Sequence, residues 1–435
     1  MSRLKPKVCS SWRTAFLASV MLAPFAHAEG IDTGNSAWVL TSTALVLFMT
    51  LPGLALFYGG LVRSKNVLTV LMQCFAITCV ASLLWFIAAY SLAFDAGNGF
   101  IGGLSKALLS GVTRNSVSGS IPESVFAMFQ MTFAIITPAL IIGAFAERTR
   151  FSATLLFSAM WLLVVYVPVC HWVWGGGWLA QKGVLDYAGG IVVHITAGVA
   201  ALVAALVIGP RKGFPHQAMP PHNMTMTVTG AGMLWVGWFG FNAGSALAAN
   251  GDAGSAMIAT HLSASAGALV WMLIEWIKFG KPSALGVVTG MVAGLGTITP
   301  ASGFVGPGGA IVIGVCAGFV CFYATLTVKR VFKIDDSLDV FPVHGVGGIL
   351  GSLLVGIFAS DHLGVFSGHG LAAGRGIAEQ VGLQLLGVGA TFAYTAVATF
   401  VLLKITQLLV GLRVTPDEET EGLDVVLHNE SGYDL

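Results

Sequence analysis

Apolar residues along this chain gather in long, nearly unbroken runs. They do not follow the two-residue alternation of a half-buried strand or the spaced stripe of a surface helix. The runs lie near residues 36 to 58, 67 to 93, 124 to 146, 151 to 170, 189 to 209, 224 to 246, 254 to 277, 283 to 299, 307 to 328, 343 to 359 and 378 to 410. An α-helix crosses about 30 Å of hydrocarbon in about 20 residues, which most of these runs supply. The pattern predicts an all-α polytopic membrane protein with eleven transmembrane helices, of which the eighth and tenth are short and glycine-rich. The strands of a membrane barrel would be about half as long and would alternate in polarity.

An earlier apolar run, Ala15 to Phe25, reads differently. It follows the basic residues Arg3, Lys5, Lys7 and Arg13 and precedes Ala26-His27-Ala28. A basic segment, a short apolar core and an A-x-A triplet describe a cleaved secretory signal. The expected organisation is therefore a leader over 1–28, a transmembrane domain over 29–413 and an acidic tail over 414–435. The tail, with seven acids from Asp417 to Asp434, reads as solvated and as too short to be a domain.

Charge then fixes an expected orientation. Thirteen basic residues, among them Arg63, Arg148, Arg150, Arg211, Lys278, Lys329 and Arg413, fall at the ends that face inward if the mature N-terminus lies outside. Lys106, Arg114, Lys182 and Arg375 fall on the other side. Cytoplasmic loops carry the excess of Lys and Arg, so the expectation is a multi-pass protein of the cytoplasmic (inner) membrane, N-terminus outside and C-terminus inside. Composition agrees: 56% of residues are hydrophobic and only 9% charged, which excludes a soluble domain. A net charge of +1 gives no footprint for nucleic acid. The 56 glycines, many inside the runs, predict close helix packing.

Ionisable residues at membrane depth are functional candidates because lipid makes them costly. His194 lies in the fifth run and His344 near the start of the tenth. If runs one to five and six to ten are two halves, five being odd, the halves are inverted, and the two histidines occupy equivalent places at a repeat interface. Facing imidazoles would share one proton and resist a second charge; the alternative is two unrelated core histidines. A metal site has little support. Asp186 is eight residues from His194, about 12 Å along a helix, and the cysteine pairs Cys74/Cys79 and Cys316/Cys321 diverge by about 140° on a helix, which reads as small buried apolar residues. No cofactor is expected. Asp186 opens the fifth run as a helix N-cap, a cation attractor, or both. Glu275 is placed at the inner interface near Lys278, and His261 is unassigned. Trp174 and Trp238 are interfacial belt residues or parts of an aromatic face able to hold a small cation beside a hydroxyl.

Read together, Ala55 to Gly60, Gly143 to Arg148, His171 to Gly177, Asp186 to His194, Gly237 to Ser245, Asp339 to Gly348, Gly411 to Arg413 and Glu421 to Val425 resemble the ammonium transporter family of Amt, Mep and Rh proteins, over about residues 36 to 425. The resemblance implies eleven helices with an inverted five-plus-five repeat, a homotrimer with a pore in each protomer, and no enzymatic activity. It implies that Trp174, Ser245 and Phe133 recruit ammonium, that Phe133 and Phe241 form a gate, and that Trp238 lines the route. His194 and His344 become the pore pair and proton relay, and Asp186 an entrance, deprotonation or support residue. Trp174 places the chain nearer the Amt than the Rh branch. The implied function is ammonium/ammonia transport, with ammonium sensing through a PII-type signalling protein, or passive ammonia conduction, as alternatives. A membrane metalloenzyme is disfavoured by the ligand spacing.

Overall fold

Inside hydrocarbon a chain must satisfy its own backbone hydrogen bonds, which helices do within a single segment. The computed structural model describes residues 30–434 and is helical over all eleven expected runs. The helices are α1 (Thr33–Leu61), α2 (Ser64–Phe94), α3 (Glu123–Phe145), α4 (Phe151–Lys182), α5 (Gly190–Ile208), α6 (Met224–Gly244), α7 (Gly251–Phe279), α8 (Ala284–Ile298), α9 (Pro307–Val331), α10 (Phe341–Phe358) and α11 (Ile377–Val410). Among the described residues nine of these are long and apolar enough to cross a membrane. Of the other two, α8 is only 15 residues long, and α6 is diluted by tryptophan, threonine and glycine. The expected leader over 1–28, with Cys9, lies outside the described residues.

The chain outside the long helices is better organised than its sequence suggested. Residues 95–122 carry a short antiparallel pair, β1 (Val117–Ser118) with β2 (Ile121–Pro122). The tail is exposed over much of its length but is ordered. It forms α12 (Pro416–Glu421), opened by a Thr415/Glu418 capping box, and α13 (Leu423–His428). Both dock on the helix ends. Asp424 is buried and accepts from the backbone N–H groups of Leu68 and Thr69 at 3.0 and 2.7 Å, so it caps the start of α2. Asn66 in turn accepts from Leu423 N at 2.9 Å. Of the seven tail acids Glu418 and Asp424 are helix-capping groups and Glu419 is buried, while Asp417, Glu421, Glu430 and Asp434 are exposed, a split that composition alone does not show.

The cysteines need a correction of the same kind. Cys74, Cys170 and Cys321 are buried, but Cys79 is exposed and Cys316 half-buried. The divergence that argued against a metal site also explains this: one member of each pair faces the bundle, so the other turns outward.

At the centre, α5 and α10 cross at glycine contacts. A Cβ at Gly198 would overlap the backbone of Gly345, and one at Gly348 would come within 2.9 Å of Gly190 O. This backbone-to-backbone approach brings the two histidine-bearing segments into register.

Candidate functional site

Both histidine segments begin as wide helical turns. His194 N–H reaches back five residues to Gly189 O at 2.9 Å, and the Phe341–Gly345 segment that holds His344 is likewise π-helical. Such turns tilt side chains away from the regular helical positions and recur at functional sites. Each start is held by a buried aspartate. Asp186 accepts four backbone N–H groups, Gly189 and Gly190 on Oδ1 and Ile191 and Val192 on Oδ2, at 2.6 to 3.0 Å. Asp336 does the same for Val340 and Phe341 at 3.1 and 2.7 Å. Asp186, Gly189 and His194 thus have counterparts 150 residues later in Asp336, Asp339 and His344.

The two imidazoles meet. His194 Nδ1 and His344 Nδ1 are 3.2 Å apart, with ring centroids at 5.1 Å and planes inclined by 22°. Thr299, just past α8, sets the polarity of the pair. Its hydroxyl donates to Leu295 O at 2.8 Å and accepts from Trp238 Nε1 at 2.9 Å, with His194 Nε2 at 3.3 Å. Its one proton is committed to Leu295, so His194 Nε2–H is the donor to Thr299. Neutral His194 then accepts at Nδ1 from His344 Nδ1–H, and His344 Nε2 is left as the free acceptor.

Around this pair the expected aromatic residues assemble. Trp238 stacks on His194 at 5.6 Å and Phe241 at 6.0 Å. Phe133 lies against Phe241 at 4.5 Å and meets Trp174 edge-on at 5.6 Å. Phe133, Trp174 and Ser245 line one recess of about 270 Å³. On the other side of the pair, a recess of about 100 Å³ is lined by His344, Tyr58, Lys329 and Asp339. Between them a pocket of about 10 Å³ holds the histidines, walled by residues such as Leu140, Val292 and Trp238. That is room for about one water-sized molecule. Two open recesses flank one apolar constriction, with Phe133 and Phe241, their planes inclined by 60°, between it and the recess of Trp174.

Asp186 does not face the Trp174 recess as a free carboxylate: it is buried, its oxygens are taken up by backbone N–H groups, and its own carbonyl accepts from Trp174 Nε1 at 2.9 Å. Ser245 Oγ donates to Phe241 O at 2.8 Å, which aims its oxygen lone pairs away from that bond. Glu275 accepts from Ser283 N and Oγ and so closes the turn between α7 and α8. His261 lies on the exposed face of α7 against Trp235 and Phe239, away from the path. Among the described residues no group of three or more His, Cys, Asp or Glu side chains gathers as metal ligands. Sequence reasoning missed Thr299, Asp336 and the Lys329–Asp339 pair. The recurrence of Asp and His at a constant offset could have revealed Asp336.

Comparison with known proteins decides the family. A family model described as the Ammonium Transporter Family matches residues 37–433. The chain belongs to the ammonium transporter family. It is 48% identical over 405 residues to an ammonium transporter of Bacillus subtilis, covering 93% of this chain and 99% of the relative. It is also 48% identical to the ammonium transporter Amt1 of Archaeoglobus fulgidus, over 93% of this chain and all of that one. Among solved structures it is similar to Saccharomyces cerevisiae Mep2, at 39% identity and a TM-score of 0.81 over 89% of this chain and 88% of that one. A sensor Amt protein is similar at 30% identity and a TM-score of 0.84, over 91% and 98% of the two chains. This ammonium transporter is thus a multi-pass membrane protein that moves a solute, not an enzyme.

Proposed function

We propose that each protomer conducts ammonium as ammonia, and that the 3.2 Å contact between His194 and His344 in an apolar pocket is what makes the conduction selective. Ammonium and potassium carry the same charge and are similar in size, so an outer aromatic recess would hold both. Trp174 and Phe133 supply ring faces for cation-π attraction, and the Ser245 oxygen accepts an N–H that ammonium has and potassium lacks. Below the Phe133/Phe241 gate, charge meets a greasy wall and pays the full desolvation penalty. Ammonium can leave its proton behind and cross as neutral ammonia, hydrogen-bonded along the imidazole edges. Potassium cannot. The histidine pair carries the released proton separately, and the low-dielectric pocket resists a second charge on it. Asp186 acts as support, holding the start of α5 and the Trp174 indole.

The wider reading rests on the same geometry. All eleven helices cross the membrane as two inverted five-helix halves plus α11; the crossing of α5 and α10 and the Asp/His correspondence support that inversion. The basic residues at the tail-bearing end support an inward-facing C-terminus in the cytoplasmic membrane. A homotrimer, and a PII-type protein docking at the tail face, complete the proposal. Native mass spectrometry, and pull-down with and without residues after Arg413, test these two parts.

The decisive experiment is uptake of labelled methylammonium with ammonium as competitor. Replacing both histidines (His194→Ala with His344→Ala) is expected to abolish ammonium-competed uptake or to admit potassium, and Trp174→Ala to raise the half-saturating concentration. Unchanged flux and unchanged potassium exclusion in the double variant would remove the pair from the mechanism. Current recorded during an ammonium pulse separates proton-coupled transport from passive ammonia conduction: a silent membrane with intact uptake would favour the latter.

A further inference from the structure

The internal correspondence between Asp186/Gly189/His194 and Asp336/Asp339/His344 breaks at one position. Gly189 adopts φ 118°. Its counterpart Asp339 also sits in the left-handed region, at φ 60°. Glycine enters that region freely, whereas a residue with a Cβ does so at a cost. A carboxylate kept in a strained backbone position beside a conduction path is the kind of outlier from which a role can be argued.

Asp339 lines the recess on the far side of the histidines, together with Lys329, Tyr58 and His344. Its Oδ2 receives Lys329 Nζ at 2.8 Å, while Oδ1 is buried and has no hydrogen-bond partner in the protein. The pair is neither sealed nor fully solvated: the Lys329 side chain is 31% exposed and that of Asp339 21%. We propose that Asp339 is an inner-mouth binding residue for ammonium and small primary alkylammonium ions, and that the Lys329 side chain is a tethered competitor that occupies it between transport events. The inference rests on the transport reading above and adds to it a site at the opposite end of the path.

The chemistry is an exchange of like for like. A lysine head group is itself a primary ammonium, so the geometry at Asp339 is already that of an R–NH3+ ion on a carboxylate. Ammonia emerging past His344 takes a proton from the aqueous recess, NH3 with H3O+ giving NH4+ and water, and the new cation competes with Lys329 for the one carboxylate that lines this recess among the described residues. Lys329 then displaces it. The carboxylate therefore collects the product, and the lysine prevents it from being retained or returned to the pore. The other ionisable groups nearby do not take this role: Asp336 is buried with its oxygens on backbone N–H groups, and Tyr58 O–H donates to Leu140 O.

The test uses the full chain in right-side-out and in everted membrane vesicles, with labelled methylammonium as the moving probe and unlabelled ammonium as the inhibitor on one face at a time. Trp174→Leu marks the outer face by the side on which its half-inhibiting ammonium concentration shifts. Lys329→Met is expected to lower the half-inhibiting concentration about three-fold, the size of a half-exposed ion pair, on the opposite face only. Asp339→Asn is expected to raise it on that same face, and the double variant to match Asp339→Asn. Equal shifts on both faces, or a Lys329→Met effect that persists in the Asp339→Asn background, would overturn the proposal. If Asp339→Asn does not accumulate in the membrane, Lys329→Met alone decides, and the absence of a one-sided shift refutes it. Wild-type vesicles without ammonium-sensitive methylammonium movement would fail the transport reading itself and this site with it; variant results against a responsive wild type bear on Asp339 and Lys329 only.

Discussion

Thr299 does more for the pore than its residue type suggests. One hydroxyl oxygen serves two buried N–H groups, Trp238 Nε1 and His194 Nε2, while its proton goes to Leu295 O. Valine has nearly the same shape and lacks the oxygen. Thr299→Val would leave two donors unmet in apolar surroundings, at about 1–3 kcal/mol each, and would release His194 to exchange tautomers. The expected outcome is a lower melting temperature in detergent together with reduced methylammonium uptake, and Thr299→Ser should restore both. A variant with wild-type uptake would show that the tautomer is set elsewhere. Nothing local in the sequence marks this threonine. Many intramembrane threonines, such as Thr43, Thr196 and Thr260, likewise return their hydroxyl to the carbonyl four residues back, and only contacts from 61 and 105 residues away set Thr299 apart. The histidines were legible because an ionisable group in lipid stands out by type. Thr299 was not, because its type is ordinary there.

At the scale of the helix, hydrophobic run length located all eleven elements, since a segment in hydrocarbon has few other ways to satisfy its backbone. What run length could not show is how a helix begins. The start of α5 depends on Asp186, whose two oxygens each accept two N–H groups. The sequence left that aspartate open between cap and cation attractor; the bond pattern is that of a cap. In Asp186→Asn one oxygen becomes an NH2 group that faces N–H donors. Two backbone donors lose their acceptor, so a destabilisation of at least about 2 kcal/mol is expected, while the main-chain carbonyl that Trp174 Nε1 uses is kept. Thermal melting checks it. A residue acting only as a cation attractor would shift half-saturation and leave the melting temperature in place. The wide turns around His194 and His344 were equally hidden, because helix propensity does not mark them.

Across the whole molecule, one buried ionic network ties the loops at the tail-bearing end. Glu147, between α3 and α4, binds Arg63 from the α1–α2 connection at 2.9 Å and Arg211 from the α5–α6 connection at 3.2 Å. Arg211 also binds Asp335, ahead of α10, at 2.8 Å. Arg148 donates to the carbonyls of Ala144, Gly209 and Asp335, and burial lowers its pKa to about 10. The tail joins through Glu419, which accepts from Arg413 and from Lys212 N. Four interhelical loops and the tail thus share one set of charges. Charge counting placed these arginines on one side but could not pair them with acids 64 to 124 residues away in other loops. Burial by itself would push the Glu147 and Asp335 carboxyls up; for Glu147 the Arg211 and Arg63 charges outweigh it, for Asp335 the Arg211 hydrogen bond and charge do, and both carboxyls are held below their ordinary values. A folded-state pKa below the unfolded one stabilises the fold above the ordinary carboxylate range of about 4 and loses that contribution as pH falls through the depressed value. The wild-type melting temperature should therefore hold from neutral pH down to about 4 and drop beneath it. Glu147→Gln leaves buried arginines short of a counter-charge and should cost about 3 kcal/mol at neutral pH. Its deficit relative to wild type should shrink below about pH 4, where the wild-type carboxyl takes up the proton that the amide already mimics. Melting curves of both proteins between neutral and acid pH measure this directly. A deficit that stays constant across the range would mean that Glu147 stabilises the loops by shape and hydrogen bonding alone, with its charge contributing nothing.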